Sequence, residues 1–155
     1  MKKVSIFLVI VFIFTFFLNS CSFNYEDNSE NSKIKNGDWA YKLPNEYEIW
    51  HINSRSIVCG KKKTTNSINT LIGGFISAFC YNKNIVVLQQ VDVPTDISEP
   101  IDTSKPVYYI IDTINDKLYG PFTADEYEDK INEFKTNGLT DWIYTVPTPE
   151  GVVYE

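Results

Sequence analysis

The sequence predicts an α+β domain: a largely antiparallel sheet of about six to eight strands built from hairpins, with one C-terminal amphipathic helix packed on it. Three observations lead there. From Trp39 onward, short runs rich in β-branched and aromatic residues alternate with turn-forming residues. The period then changes once, where Tyr127, Ile131 and Phe134 fall at i, i+4 and i+7, one face of a helix. Finally, the runs Phe75–Tyr81 and Ile85–Leu88 are apolar on nearly every position, so neither face of those strands suits water.

Taken in order, Trp39 opens an edge-like first strand, WAYKLP, that Pro44 ends. The segment YEIWHINSRSIVCG reads as a hairpin about Asn53-Ser54. A two-residue loop there sets His51 opposite Ser56, Trp50 opposite Ile57 and Glu48 opposite Cys59. Lys61 to Gly74 has no clear pattern and reads as a long connection. GGFISAFCYNKNIVVLQQV reads as a second hairpin, turning at Asn82-Lys83-Asn84. A second long loop, DVPTDISEPIDTSKP, is held open by Pro94, Pro100 and Pro106. VYYIIDTINDKLYG is a third hairpin about Asn115-Asp116. Thr123 and Glu126 then form a capping box that satisfies two backbone N–H groups at the helix start. Asp125 and Glu126 suit the positive end of the helix dipole, Lys135 suits the negative end, and Gly138 is placed to terminate the helix. WIYTV is a last strand before Pro147 and Pro149. One helix covers one face of the sheet. The other needs the sheet to curl, the loops to fold over it, or a partner; in the first two cases recognition falls to the loops at 61–74 and 92–106.

The N-terminus sets the expected location. Met1-Lys2-Lys3 precedes an apolar run from Val4 to Leu18, broken only by Ser5 and Thr15. That is the layout of a secretory signal, and the run is shorter than the roughly 18–20 residues a bilayer span needs. Leu18-Asn19-Ser20-Cys21 resembles the lipobox of bacterial lipoproteins. The resemblance implies removal of residues 1–20, a lipid on the Cys21 thiol and an anchor on the extracytoplasmic side of the bacterial cell membrane. Asn19 departs from the small residue usual at that place. Residues 21–36 are polar and charged, too poor in apolar groups to offset the entropy of ordering, and are expected to be a disordered tether. A single domain then covers 37–155. Its layout, with YKLPNEYEI early and YYIIDTINDKLYGPFTADEY late, resembles a group of small, functionally uncharacterised Firmicute lipoproteins. That resemblance implies no activity.

Charge and residue inventory exclude more than they assign. Without Lys2 and Lys3, 12 basic residues face 20 acidic ones, which disfavours nucleic acid and anionic lipid as partners. The one basic cluster, Lys61-Lys62-Lys63, suits a solvated hairpin end. His51 is the only histidine, and neither Cys-x-x-Cys nor His-Glu-x-x-His occurs, so no zinc site is expected. His51 opposite Ser56 has the residue types of a base and a hydroxyl nucleophile but no acidic orienter on that hairpin. The same register sends His51 and Cys59 to opposite faces. Asp92, Asp96, Glu99 and Asp102 share one loop without the ligand spacing of an EF-hand. Gly73-Gly74 is followed by neither lysine nor helix, so it is no phosphate loop.

Two readings stay open for Cys59 and Cys80. Export permits a disulfide between them, worth ~3 kcal/mol on the chain-entropy model, while their strand-like surroundings suit buried thiols. Trp39, Trp50 and Trp142 with ten tyrosines serve either a binding surface or, with more weight, the core of a small β-rich domain. No catalytic residue and no cofactor is expected. The expected role is a lipid-anchored, non-enzymatic binding or envelope-associated protein, with an unidentified protein partner besides the membrane. The alternative is an inhibitor or immunity-type lipoprotein that blocks a toxin or hydrolase.

Overall fold

The structure is a computed structural model and describes residues 38–134 and 139–154. The lipobox with Cys21, the tether and the Lys135–Gly138 helix end therefore lie outside the described residues. Within them the chain makes β1 (Trp39–Lys42), β2 (Tyr47–Asn53), β3 (Ser56–Thr64), β4 (Ser67–Ile72), β5 (Phe75–Tyr81), β6 (Ile85–Val91), β7 (Val107–Asp112) and β8 (Lys117–Phe122). Helix α1 (Ala124–Glu133) follows, then two short strands, β9 (Ile143–Tyr144) and β10 (Val153–Tyr154). The sheet runs β10-β1-β2-β3-β5-β6-β7-β8, with β4 beside β3 and β9 beside β5. All pairings are antiparallel except one parallel bridge, Ile57 to Phe75. The α+β class, the largely antiparallel sheet and the C-terminal helix are as the sequence predicts.

Three local expectations need correction. The first hairpin turns at Ser54-Arg55, one residue later than the Asn53-Ser54 reading, because Asn53 Oδ1 accepts the Arg55 N–H at 2.8 Å and a bulge follows His51. His51 thus faces Ile57, Ile49 faces Cys59, and Ser56 faces Asn53. A one-residue slip reverses side-chain faces, so Cys59 shares the Ile49 face with His51 instead of opposing it. Second, the Lys61–Gly74 connection is mostly sheet, with β3 running to Thr64 and β4 returning from Ser67. Its polar sequence hides a strand pair whose close approach depends on Gly60: a Cβ there would lie 2.1 Å from Asn69 O. Third, the chain after Pro149 is not all irregular, since β10 pairs with β1.

The sheet curls on itself. β1 and β5 are separated by two strands, which in a flat sheet would hold them roughly 14 Å apart. Yet the Tyr41 ring meets Phe79 edge-on at 4.8 Å, and its hydroxyl lies 3.1 Å from that of Tyr81. Inside the curl lies one large core that includes Trp39, Ile49, Ile57, Phe75, Phe79, Leu88 and Ile111. Val93 and Ile101 of the 92–106 loop and Ile143 of β9 pack against it. The opposite face of β5–β7, with Cys80, Val87 and Ile110, packs against Tyr127 and Ile131 of α1 and Phe134 at its C-terminal cap. Thr123 and Glu126 form the predicted capping box. The uniformly apolar runs are therefore covered on both faces, one by the helix and one by the sheet itself.

Side chains fasten the curl. The turn Leu43-Pro44-Asn45-Glu46-Tyr47 crosses to the β7–β8 turn. There Asn45 Nδ2 donates to Thr113 Oγ1 at 2.8 Å, and Tyr47 Oη donates to Asp116 Oδ1 at 3.0 Å. Thr113 in turn donates through both N and Oγ1 to Asn84 O, joining the β5–β6 turn. Lys61 Nζ reaches both Asp116 carboxylate oxygens, at 2.7 and 2.8 Å. Its bonds, then that of Tyr47, hold Asp116 below the usual carboxylate range. Burial, then the bond to Asp116, pushes the Tyr47 phenol up to about 12. Asn45 and Glu46 adopt left-handed φ of 56° and 68°, a consecutive pair that matches the twist of the flanking strands.

Two predictions follow from this architecture. Gly60→Ala is expected to destabilise by about 2–3 kcal/mol in urea unfolding, since backbone and not a flexible side chain meets the new methyl. An unchanged midpoint would show that β4 yields. Asp116 has a depressed folded-state pKa, so its contribution is present at neutral pH and is lost as pH falls through that value. Asp116→Asn is expected to lower the urea midpoint at neutral pH, with the difference from the parent closing at acid pH. A pH-independent difference would contradict the linkage.

Candidate functional site

The sheet divides where β3 and β9 both leave the same edge of β5, and a cleft opens at the division. The divergence starts from a bulge: Ser77 is the extra residue between the Ile76–Gln90 and Ala78–Gln89 pairs. Buried Thr145 satisfies the carbonyls set free there, donating from Oγ1 to Ile76 O at 2.7 Å and from its N–H to Ser77 O at 3.1 Å. Phe75 and Ser77 floor the cleft, Tyr144 and Val146 form one wall, and the 92–106 loop forms the other. Its volume is about 620 Å³. An adjoining depression of about 430 Å³ shares Ser54, Phe75 and Val146 and continues to Trp39, His51 and Thr148.

Arg55 fixes the loop wall. From the hairpin tip, Nη2 donates to Pro94 O at 2.6 Å and Nη1 to Glu99 O at 2.9 Å, with longer bonds to Asp96 O and Ile97 O. The loop also braces itself. Asp96 Oδ1 accepts from Ser98 N and Oγ, and Asp102 Oδ1 from Ser104 N. These serine bonds hold both carboxyls below the usual range, so both are ionised at neutral pH. The four acidic residues of the loop thus serve turns and surface charge. Among the described residues no group of histidine, cysteine and carboxylate side chains converges as a metal site.

The other sequence-derived candidates separate. Ser56 pairs with Asn53, away from His51. His51 stacks on Trp39 with ring centroids 5.4 Å apart, and its Nδ1 lies 3.7 Å from Asp38 Oδ1. An acidic neighbour therefore exists, supplied by a residue outside the hairpin. Cys59 and Cys80 are free thiols in different cores, Cys59 in the curl and Cys80 under α1. The open disulfide alternative thus has no counterpart here. Burial pushes both thiols up, Cys80 to about 12. Trp39 and Trp50 are core residues, while Trp142 packs edge-on against Tyr108 and Tyr127. Lys61 binds Asp116, and Lys62 lies 3.3 Å from buried Glu48, whose Oε2 accepts the Trp50 indole N–H at 2.7 Å. Gly74, at φ 86°, is a strand-entry turn whose carbonyl accepts from Ile57 N at 3.0 Å. Sequence reasoning missed Arg55, Ile97, Tyr144 and Val146. Ile97 alone carried a signal, as the lone aliphatic residue in TDISEP.

A model for the family described as a protein of unknown function, DUF3997, matches residues 44–140. The chain belongs to that family. No curated protein and no solved structure matches it. The DUF3997 span begins at the Pro44 turn that fastens the curl and takes in both Arg55 and the whole 92–106 loop. Tyr144 and Val146, the opposite wall, lie beyond it.

Replacing Arg55 tests the loop wall. Arg55→Ala and Arg55→Lys are both expected to direct limited proteolysis into 92–106, because an ammonium cannot serve several carbonyls as the guanidinium fork does. The cost to stability should be about 2 kcal/mol. First cuts elsewhere, or full rescue by lysine, would refute this role.

Proposed function

We propose that this DUF3997 protein is a non-enzymatic binding module, held to the extracytoplasmic side of a bacterial cell membrane by a lipid on Cys21. The observation that carries the binding part is the divided cleft. At about 620 Å³ it falls within the range of small-ligand and side-chain sites, and it is lined by a mixture of apolar residues (Phe75, Ile97, Ile101, Val146) and polar ones (Arg55, Gln89, Glu99). Its rim carries Ile97, Tyr144 and Val146, exposed by 84%, 62% and 67%. Apolar surface of that kind, gathered at one concave place, favours recognition over catalysis. The likeness to Firmicute lipoproteins, the apolar run and the Leu18–Cys21 lipobox support the anchor. Acyl chains at ~0.8 kcal/mol per buried CH₂ make such an anchor stable when two or more are present.

The anchor is tested by labelling cells with a fatty-acid analogue. The parent chain should incorporate label and appear as a shortened mature form, whereas Cys21→Ala should accumulate as unlabelled precursor. Label persisting in Cys21→Ala would overturn the assignment of Cys21.

A further inference from the structure

We propose that the cleft takes an extended peptide segment that pairs aliphatic or aromatic side chains with lysine or arginine. This rests on the reading of the domain as a binding module and names the chemistry of what it binds. Shape argues for a chain in place of a single compact ligand. The two depressions are continuous at Ser54, Phe75 and Val146, so two apolar side chains of one strand can each occupy a depression. Among the described residues, β9 pairs only with β5, and Tyr144 of that strand lines the cleft.

Charge selects the sequence of that segment. The loop wall bears Asp92, Asp96, Glu99 and Asp102 against Lys105 alone, and the chain as a whole carries a formal −6. Arg55 is the single cation lining the larger depression, and its guanidinium faces the loop's own carbonyls. Glu99 is the one acidic residue of the lining, and its backbone carbonyl receives Arg55. An apolar peptide with cations between its anchors complements both features, and an acidic one complements neither.

The test uses the full chain in zwitterionic nanodiscs, a short peptide of alternating leucine and lysine as probe, and the amide shifts of Gln89, Glu99 and Tyr144 as readout. Saturable shifts are expected with this peptide and not with leucine–glutamate or serine–lysine alternation. Val146→Asp, at an exposed position, should abolish them. Glu99→Gln should weaken binding about threefold, as for a single exposed charge pair, and Asp125→Asn on α1 should leave binding unchanged.

Equal response to serine–lysine, or equal loss from Asp125→Asn, would reduce the effect to general surface charge and overturn the proposal. Response to leucine–glutamate would overturn the charge assignment while leaving a binding cleft. Absence of any response overturns the peptide outright. Broadening of the Ile97 and Val146 methyls by spin-labelled phosphatidylcholine would seat the bilayer there instead. Self-association abolished by Val146→Asp would seat a second copy, and either result excludes the peptide. Fatty-acid incorporation, scored on the same preparation, reports on the anchor separately.

Discussion

The curl depends on bonds that no backbone ladder supplies. A twisted eight-strand path leaves its two ends as open edges, and strand pairing alone does not decide how tightly they approach. Here the Pro44 turn decides it. Asn45 and Tyr47 reach from the β1–β2 connection to Thr113 and Asp116, four strands away along the sheet. With those contacts made, Tyr41 lies on Phe79, the large core is enclosed, and the far face is left for α1. The Leu43-Pro44-Asn45-Glu46-Tyr47 element of the sequence is therefore a fastening.

Much of this was legible because it is local. The second and third hairpins, the helix face and the capping box all rest on residues within a few positions of one another, where periodicity and turn chemistry act directly. The errors have one cause, competition from outside the local window. Asn53 could turn the chain or cap a turn one residue later, and its bond to Arg55 N chose the latter. Lys61–Ile72 looks like a loop because charged and polar residues dominate its sequence. Its strand character comes from Gly60 letting β4 approach β3. Neither fact shows in hydrophobic pattern.

The site was less legible for the same reason. Residues 55, 75, 97 and 144 have no sequence relation; a bulge at Ser77, a buried threonine and an arginine bring them together. Conversely, the residues that looked chemical were absorbed by structure. His51 stacks in place, the cysteines fill two cores, and the loop carboxylates make turns. Residue type advertised chemistry, while geometry located the cleft.

The way Arg55 holds its loop has an evolutionary consequence. Its four partners are main-chain carbonyls, which every residue type carries. The shape of the segment is thus largely independent of the side chains it displays between its prolines. Substitutions at Thr95, Ile97 or Thr103 can change what the rim presents to the outside without redrawing the rim. A scaffold of that kind can diversify its target by point mutation alone, much as a hypervariable loop does on a constant frame.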